Sequence, residues 1–448
     1  MSDVARAVDG LFLGNDVEVN AIATDSRDVA EGCLFVALPG ERTDGGRFVP
    51  EAFERGAAGA LVRDGLDVDG PAVSVRSTGE ALMMLARDER ARMPGRVVAV
   101  TGANGKTSTK DMAAAVLSTT FRTHASPESF NNEVGLPTTI LTAPPDTEVV
   151  VAEMGARHVG DVAILCGIAH PDVVIVTNVG VAHLEIFGSW ERIVQASAEP
   201  VEALDRDGVA ILNADDPVVM DYAGRCRGRV VTFGLSGGAD VRAEDVTLDR
   251  DGCATFTLVC AADRASVVLP VPGEHMVSNA LAAAATGVTL GVPLATCAEA
   301  LTRASVSRWR MDTFTTTDGV RVVNDAYNAN PESTAAALRT ARWMAGDGHL
   351  IAVLGTMAEL GPIAEREHER IGELAARIRV DRLIAVGEMA RSIAMAGVRE
   401  GVEPENVACY DDAVDVLDDV RRIARPGDLV LFKGSRVAGL ERLAEALR

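Results

Sequence analysis

The feature that most constrains the fold of this sequence is a glycine-containing loop between an apolar run and a helical one. The loop, Thr101-Gly-Ala-Asn-Gly-Lys-Thr107, follows Val97–Val100 and precedes Asp111–Leu117. The backbone N–H groups of such a loop surround phosphate oxygens, and the helix directs its positive end at them. Lys106 adds a positive charge, and Thr107 can ligate Mg²⁺. The predicted phosphate-site residues are Gly102, Asn104, Gly105, Lys106, Thr107 and Ser108.

The loop departs from the usual phosphate-binding pattern at its first position. Val100 stands five residues before Gly105, where that pattern has glycine. A fortuitous Gly-Lys-Thr turn is therefore the alternative interpretation. The flanking strand and helix favour the phosphate loop, because they lie on the correct sides of it.

Continuous apolar runs separated by segments of helix length indicate a doubly wound, mostly parallel sheet around this loop. The runs are Val149–Ala152, Val173–Val176 and Val209–Leu212. The length of 448 residues suggests about three domains, and residues 93–96 form a breaker cluster. We predict an α/β protein with a small domain over residues 1–92, a central phosphate-binding domain over 93–311, which the family resemblance described below implies is an ATPase, and a Rossmann-like domain over 312–448.

Charge and hydropathy exclude several classes of partner. The formal net charge is −22, which would repel a phosphate backbone, so nucleic acid is not expected to bind. Charged residues and glycines interrupt every apolar run before it could span a bilayer, and the first residues do not resemble a signal segment. We expect a cytoplasmic monomer. The seven cysteines show no Cys-x-x-Cys pair and are expected to be reduced core thiols.

Two further polar residues follow predicted strands. Glu153 ends the run that begins at Val149, and His183 lies seven residues beyond Val176. Because parallel strands of one sheet end at the same edge, both residues could lie near the phosphate loop, where Glu153 could hold a hard cation. A solvated turn carboxylate and a structural histidine are the alternatives.

Several strings, spread over essentially the whole chain, resemble the Mur ligase family. In the first domain they are Thr24-Asp-Ser-Arg27 and Gly32–Gly40; in the second, the phosphate loop, Asn131–Pro137, Glu153–Ala156, Ala182-His-Leu-Glu185 and Gly273-Glu-His275; in the third, Asn324–Pro331, Glu359-Leu-Gly361, His368 and Lys433-Gly-Ser-Arg436. The string Tyr327-Asn-Ala-Asn-Pro331 is similar to the branch of the family that adds D-alanyl-D-alanine to UDP-N-acetylmuramoyl-tripeptide.

The resemblance implies the chemistry of peptidoglycan synthesis. ATP, Mg²⁺ and those two substrates would be bound, and the substrate carboxylate would attack the γ-phosphoryl group to form an acyl phosphate that the amine displaces. The implied catalytic residues are Lys106, Glu153 and His183, and the implied metal ligands are Thr107, Glu153 and His183. Asn279, Arg310 and Asp325 would bind the nucleotide. The implied substrate residues are Ser26, Arg27, Asn131, Asn132, Tyr327, Asn328 and Asn330.

The sequence departs from the family at the second metal site. Where the family carries a carbamylated lysine, this chain has Ser197, whose hydroxyl cannot form the carbamate anion. Glu199, a water or a bound anion could substitute. Alternatively, the chain could be a paralogue that joins another acid and amine, or an ATP-binding scaffold without turnover. Gly46 also departs, where the family often has histidine, which affects the uridine end.

Overall fold

The computed structural model describes residues 1–40 and 43–448, which form three α/β units, each built on its own sheet. This is the predicted three-domain architecture. In each unit, mostly parallel strands carry apolar side chains on both faces, so helices must cover both faces of the sheet. The predicted boundaries, after residues 92 and 311, fall between the sheets and stay predictions.

The first unit is a five-stranded sheet in the order β1-β5-β4-β3-β2, parallel except for β1. Its elements are α1 (Ser2–Ala7), β1 (Leu11–Leu13), β2 (Ala21–Ala23), β3 (Cys33–Val36), α2 (Val49–Glu54), β4 (Gly59–Arg63), β5 (Ala72–Val75) and α3 (Thr78–Arg92). The sequence predicts a helix from Phe48 to Gly59, which is too long. The chain leaves the helix at Arg55, because Gly56 has a φ of +104° and turns the backbone back toward β4.

The middle unit is a nine-stranded sheet in the order β14-β13-β12-β11-β10-β9-β6-β8-β7. Its strands are β6 (Arg96–Thr101), β7 (Thr123–Ala125), β8 (Val149–Glu153), β9 (Val173–Val176), β10 (Val209–Asn213), β11 (Arg229–Gly234), β12 (Val241–Leu248), β13 (Cys253–Cys260) and β14 (Asp263–Pro272). Its helices are α4 (Lys106–Leu117), α5 (Gly135–Leu141), α6 (Asp161–Ala169), α7 (Leu184–Phe187), α8 (Trp190–Glu202), α9 (Pro217–Asp221), α10 (His275–Leu290) and α11 (Leu294–Thr302). Strands β6 to β12 are parallel, and β12, β13 and β14 form an antiparallel end. The sequence predicts antiparallel strands there, at Thr255–Leu258 and Ser266–Leu269.

Strand β6 lies between β9 and β8, so the strands that follow it in the chain lie on both sides of it, and the sheet has its topological switch point there. Connections leave such a switch point in opposite directions and open a crevice, which is where doubly wound sheets bind ligands. The phosphate loop follows β6 directly. Glu153 is the last residue of β8, the neighbouring strand.

Small side chains let α10 lie close against α4, the helix that follows the loop. Residues 280–285 of α10 are Ala-Leu-Ala-Ala-Ala-Ala, all of them fully buried. Since alanine occupies little space, the two helix axes can approach closely. This packing places Asn279, in the first half of α10, beside Gly105.

The third unit is a six-stranded sheet in the order β15-β16-β20-β17-β18-β19, parallel except for β15. Its elements are β15 (Asp312–Thr315), β16 (Arg321–Asn324), α12 (Pro331–Ala345), β17 (Leu350–Gly355), α13 (Ala364–Arg377), β18 (Arg382–Val386), α14 (Arg391–Arg399), β19 (Val407–Tyr410), α15 (Val416–Ile423), β20 (Leu429–Lys433) and α16 (Leu440–Glu445). The sequence predicts strands at Val320–Val323, Leu350–Leu354, Arg382–Val386 and Leu429–Phe432, but not the edge strands β15 and β19. Strand β15 carries a single apolar side chain, and β19, although apolar in sequence, is only four residues long and only partly buried.

Within residues 1–40 and 43–448, we find no helix with the length and apolar character needed to cross a bilayer. All seven cysteines lie in the described residues as free thiols. Cys33, Cys166 and Cys297 are the core thiols that the sequence predicts. The other four are partly or fully exposed.

Candidate active site

The phosphate loop is held against the end of β9 by side chains that the sequence analysis assigned no role. The Thr177 hydroxyl donates a hydrogen bond to the Asn104 carbonyl at 2.6 Å, and the Asn104 amide donates to Asn178 Oδ1 at 2.8 Å. Gly102 has a φ of +132°, and a Cβ there would lie 2.1 Å from Thr177 Oγ1. The loop therefore requires glycine at this position, for its conformation and for space.

Lys106, the first residue of α4, turns its ammonium back toward the loop. Its Nζ donates to the Gly102 carbonyl at 2.8 Å and contacts the Ala103 carbonyl at 3.4 Å. Burial lowers the pKa of Lys106, the charge of Glu153 opposes that shift, and the charge of Arg310 adds to it. A polyphosphate bound in the loop would stabilise the charged ammonium by supplying negative acceptors.

Glu153 is buried, and both of its carboxylate oxygens are engaged. The Thr107 hydroxyl donates to Oε2 at 2.6 Å, and Asn131 Nδ2 donates to Oε1 at 2.8 Å. Arg310 Nη2 donates to the Thr107 hydroxyl at 2.7 Å and to the Ser129 hydroxyl at 2.9 Å. Four of these five residues are ones the sequence analysis selected, and the structure joins them in one cluster; Ser129 is the addition.

His183 lies at the start of α7, with a φ of +60°. Its Nδ1 hydrogen-bonds the Glu359 carboxylate, which also pairs with Arg157. Burial lowers the pKa of His183, and its hydrogen bond to the Glu359 carboxylate opposes that shift. The structure thus brings His183 together with a residue of the third unit rather than into hydrogen-bond contact with Glu153.

The side chains in and around the phosphate loop offer ligand atoms that suit a hard divalent cation. Mg²⁺ binds through one or two carboxylates, hydroxyl groups, phosphates and waters, and the Thr107 hydroxyl and the Glu153 carboxylate are already adjacent. His183 offers Nε2, which has no hydrogen-bond partner among the described residues. No group of three histidine, cysteine, aspartate or glutamate side chains in that part of the chain is close enough to form a metal cage by itself. Substrate phosphates would have to complete the coordination.

Arg310 approaches the loop as part of an aromatic and cationic stack. Its guanidinium carbon lies 4.4 Å from the centre of the Tyr327 ring, and that of Arg436 lies 4.6 Å from the Trp309 ring. Arg310 Nε is buried without a partner among the described residues. Such an unpaired donor beside a phosphate loop is typical of a site whose ligand completes the hydrogen bonds.

Asp325 fixes the backbone on both sides of this stack. Its Oδ1 accepts a hydrogen bond from the Met311 amide at 3.1 Å, and its Oδ2 pairs with Lys433 Nζ at 2.7 Å. Lys433 also donates to the Asn328 carbonyl at 2.8 Å. Asp325 therefore links the segment that bears Arg310 to the predicted substrate loop.

The third unit also contacts the phosphate loop directly. Asn330 Nδ2 donates to Asn104 Oδ1 at 2.7 Å, while Asn330 Oδ1 caps α12 by accepting from the Ser333 amide. Asn279 also lies against the loop, where its Oδ1 would be 2.3 Å from a Cβ at Gly105. The loop is thus in contact with both α10 and the residue that caps α12. Ser108 is buried in the first turn of α4.

Three predicted substrate residues do not meet this cluster. Asn132 is exposed, and its Oδ1 accepts hydrogen bonds from the Val134 and Gly135 amides. Ser26 and Arg27 lie in the first unit, where Arg27 pairs with Asp25 at 2.5 Å. Among the described residues, neither Ser26 nor Arg27 has a hydrogen bond or ion pair to the middle unit. Their proposed ligand would have to bridge the units.

The scarcity of lysine in the composition could have pointed to two more residues near the site, Lys110 and Lys433. Only three of the 43 basic residues are lysines, namely Lys106, Lys110 and Lys433. Lys110 is buried in α4, and its Nζ donates to the Ser126 and Glu128 carbonyls at 2.6 and 2.9 Å. It thereby fixes the loop that presents Ser129. A lysine ammonium offers three donors on a compact head, which the planar guanidinium of arginine cannot reproduce.

Ser197 is half-buried on α8, beside the hydroxyl of Tyr222. The structure disfavours Glu199 as the substitute for the missing carbamate. Both carboxylate oxygens of Glu199 cap the start of α6, where they accept from the Gly160 amide at 2.6 Å and the Ala163 amide at 2.9 Å. A water or a bound anion remains as the replacement at that position.

Comparison with known protein families gives one match in each of the three units. The family model described as "Mur ligase family, catalytic domain" matches residues 18–94, "Mur ligase middle domain" matches 100–287, and "Mur ligase, glutamate ligase domain" matches 309–436. The three models follow one another in the order of the three sheets.

Individual relatives cover the chain from end to end. The UDP-N-acetylmuramoyl-tripeptide–D-alanyl-D-alanine ligase of Bacillus subtilis is 36% identical over 100% of this chain and 98% of the relative, and that of Escherichia coli is 34% identical with the same coverage. Among solved structures, MurF from Acinetobacter baumannii has a TM-score of 0.89 at 29% identity, covering 100% of this chain and 98% of that chain. MurF from Thermotoga maritima in complex with ADP has a TM-score of 0.82 at 29% identity, with coverages of 97% and 98%.

Proposed function

The chain belongs to the Mur ligase family, and from that premise we propose that it is an ATP-dependent ligase that adds D-alanyl-D-alanine to UDP-N-acetylmuramoyl-tripeptide in peptidoglycan synthesis. The observation that carries the proposal is the enclosure of the phosphate loop. Lys106, Thr107 and Glu153 of the middle unit meet Arg310 and Asn330, which approach from the other side. The Tyr327-Asn-Ala-Asn-Pro331 string lies at the same junction and supports the D-alanyl-D-alanine-adding branch.

We assign the nucleotide residues by their contacts. The loop amides and Lys106 would hold the β- and γ-phosphates, because the N–H donors of both surround the space enclosed by the loop. Arg310 has an unpaired buried Nε beside that space and would contact the phosphates from the opposite side. Asn279 lies behind Gly105 and would approach the base. Ser26 and Arg27 would contact the uridine end of the substrate in the first unit.

Mg²⁺ is the metal that these ligand atoms suit; Thr107 would hold one ion, and Glu153 and His183 would hold a second. Bound there, it would neutralise the phosphate oxygens and reduce their repulsion of an incoming carboxylate. Around it, Asn131 orients the Glu153 carboxylate through the 2.8 Å hydrogen bond. Ser129 and Arg310 orient the Thr107 hydroxyl in the same way.

The proposed reaction has two chemical steps, phosphoryl transfer and then amide formation. A carboxylate oxygen of the tripeptide attacks the γ-phosphorus, the bond to the bridging oxygen breaks, and ADP leaves with that electron pair. The amine of D-alanyl-D-alanine then attacks the acyl carbon, loses a proton, and expels inorganic phosphate. Lys106 and Arg310 stabilise the transferred phosphoryl group as charge spreads over its oxygens.

Water must not reach the acyl phosphate before the amine does. The contacts of Asn330 with Asn104 and of Glu359 with His183 bring the third unit over the loop. A closed site excludes solvent and completes the arrangement of donors, so domain closure is a step of the proposed cycle. In this proposal the Tyr327 and Asn328 loop would contact the incoming dipeptide.

The test is phosphate release from ATP with the purified full-length chain. We expect release only when UDP-N-acetylmuramoyl-tripeptide and D-alanyl-D-alanine are both present. Release that needs another acid or amine would replace the proposal with a paralogous ligase. Binding of ATP without any release, under conditions where the E. coli enzyme turns over, would replace it with a scaffold.

Ser197→Lys is expected to raise the affinity for Mg²⁺ or the rate of phosphate release. A carbamylated lysine would restore the negative charge that Ser197 cannot provide, and losing a supporting group at a metal site commonly costs about 10–100-fold. Added bicarbonate should increase the rate of phosphate release by the variant and leave the rate of the natural protein unchanged. Gln195→Lys is the control, because Gln195 is exposed on the same helix. If Ser197→Lys changes neither property, the placement of Ser197 at the metal site is wrong.

A further inference from the structure

Glu359 is the one acidic residue of the third unit that reaches His183 in the described part of the chain. It follows β17 in the turn before α13, and its carboxylate contacts both His183 and Arg157 of the middle unit. The sequence analysis quoted Glu359 within a family string and gave it no role. Its contact with a proposed metal ligand is therefore an observation from the structure alone.

The geometry divides the two oxygens of Glu359 between two partners. Oε2 faces His183 Nδ1, and Oε1 faces the Arg157 guanidinium. A carboxylate only accepts hydrogen bonds, so the Nδ1 of His183 must carry the proton. The lone pair of the imidazole is then at Nε2, which has no hydrogen-bond partner among the described residues.

The backbone around Glu359 is built to hold this arrangement. The Glu359 carbonyl accepts a hydrogen bond from the Glu185 amide at 3.0 Å, and Glu359 itself has a φ of +61°. Gly361 lies so close to Glu185 that a Cβ would be 3.1 Å from its Cα. The turn therefore docks on the start of α7 through main-chain contacts as well as through the carboxylate.

We infer that Glu359 is a positioning residue that orients His183 for metal binding and thereby couples closure of the third unit to occupancy of the second metal site. Metal-binding histidines generally donate their other ring N–H to a carboxylate or carbonyl, which fixes the tautomer and raises the basicity of the ligand. Here that carboxylate comes from a different domain. The inference rests on the proposed role of His183 as a metal ligand.

Coupling of this kind must act in both directions. If the closed arrangement strengthens metal binding at His183, then metal binding must favour the closed arrangement by the same factor. Because Ser197 supplies no carbamate charge, the second site has fewer protein ligands than its relatives with that lysine. We therefore expect the affinity of the second site for its metal to depend strongly on the orientation of the His183 imidazole.

The test measures Mn²⁺ binding by electron paramagnetic resonance on the full chain with a non-hydrolysable ATP analogue. We expect the natural protein to bind two ions per chain and Glu359→Ala to bind the weaker one about 10–100-fold less tightly. Glu359→Gln keeps an acceptor oxygen and should lose less. Glu365→Ala is the matched control, because Glu365 is exposed six residues further on and forms no hydrogen bond or ion pair with the described residues.

Combining Glu359→Ala with His183→Ala distinguishes the positioning role of Glu359 from the proposed role of His183 as a metal ligand. In the His183→Ala background, Glu359→Ala should cause no further loss of Mn²⁺ affinity, because its effect acts through the imidazole. Weakened binding in His183→Ala together with unchanged binding in Glu359→Ala would overturn the inference and leave the proposed metal site intact. Unchanged binding in His183→Ala would overturn both.

Two readouts distinguish positioning from a general structural role. The nitrogen chemical shifts of His183, identified by their loss in His183→Ala, should report the Nδ1–H tautomer in the natural protein and a mixture in Glu359→Ala. Small-angle scattering should show that Mn²⁺ with the analogue compacts the natural protein and compacts Glu359→Ala less. Identical tautomers and identical compaction in the two proteins would contradict the inference.

Discussion

Replacing Lys106 with methionine is expected to lower the rate of phosphate release by about 10³-fold, the lower end of the effect of a single cation on phosphoryl transfer. Methionine keeps much of the side-chain volume and removes the charge. The Lys106 ammonium is held 2.8 Å from the Gly102 carbonyl and lies beside Arg310 and Glu153. Without it, the attacking carboxylate would meet the γ-phosphate with less of their mutual repulsion neutralised.

The measurement is single-turnover phosphate release with both substrates, compared with Arg206→Met. Arg206 is exposed in the middle unit, and among the described residues it has no ion pair or hydrogen bond through its side chain. That variant loses the same charge and should retain the natural rate. Lys106→Arg should also fail, because a planar guanidinium cannot reproduce the three-donor head. Activity above about a tenth of the natural rate in Lys106→Met would show that Lys106 does not serve the transferred phosphate.

Residues that belong to one short motif were predictable from the sequence. Lys106 and Thr107 follow a buried strand and begin a helix, so their local pattern fixes where they lie. Glu153 ends a continuous apolar run, and the rule that parallel strands end at one edge places it beside the loop. The 2.6 Å hydrogen bond between Thr107 and Glu153 is the outcome of that rule.

Residues that meet across long stretches of chain were not predictable in this way. Glu359 and His183 are 176 positions apart, and Asn104 and Asn330 are 226 apart. No periodicity or local propensity connects such pairs, because their contact depends on how two separately folded units dock. The family resemblance selected Asn330 but gave no partner for it, and it gave Glu359 no role.

Strands that are only partly buried were missed for a different reason. Only two of the eight side chains of β12 are buried and three are charged, and no side chain of β19 is fully buried. Pairing with a neighbouring strand stabilises both of them through backbone hydrogen bonds, which the side-chain pattern does not reveal. The helix predicted from Phe48 to Gly59 was too long, because Gly56 ends it.

The second large effect is expected from Gly102→Ala, which should weaken binding of an ATP analogue by about 10²-fold. A methyl group at Gly102 would lie 2.1 Å from Thr177 Oγ1 and 2.9 Å from the Asn178 carbonyl, at a φ of +132°. Overpacking costs about 1–3 kcal/mol and the left-handed backbone about 1–2 kcal/mol. At about 1.4 kcal/mol for each tenfold change in affinity, these costs correspond to a loss of about 30-fold to a few thousand-fold, and 10²-fold lies within that range.

Gly291→Ala separates backbone strain from the clash. Gly291 has a φ of +97° at the end of α10, but nothing lies within 4 Å of its Cβ position. It should lower the free energy of unfolding by about 1 kcal/mol and leave nucleotide affinity unchanged. Calorimetric titration of the analogue and thermal unfolding of both variants measure the two quantities. Equal nucleotide affinities in Gly102→Ala and the natural protein would mean that the loop can move without loss, and that its fit against Thr177 does not build the phosphate site.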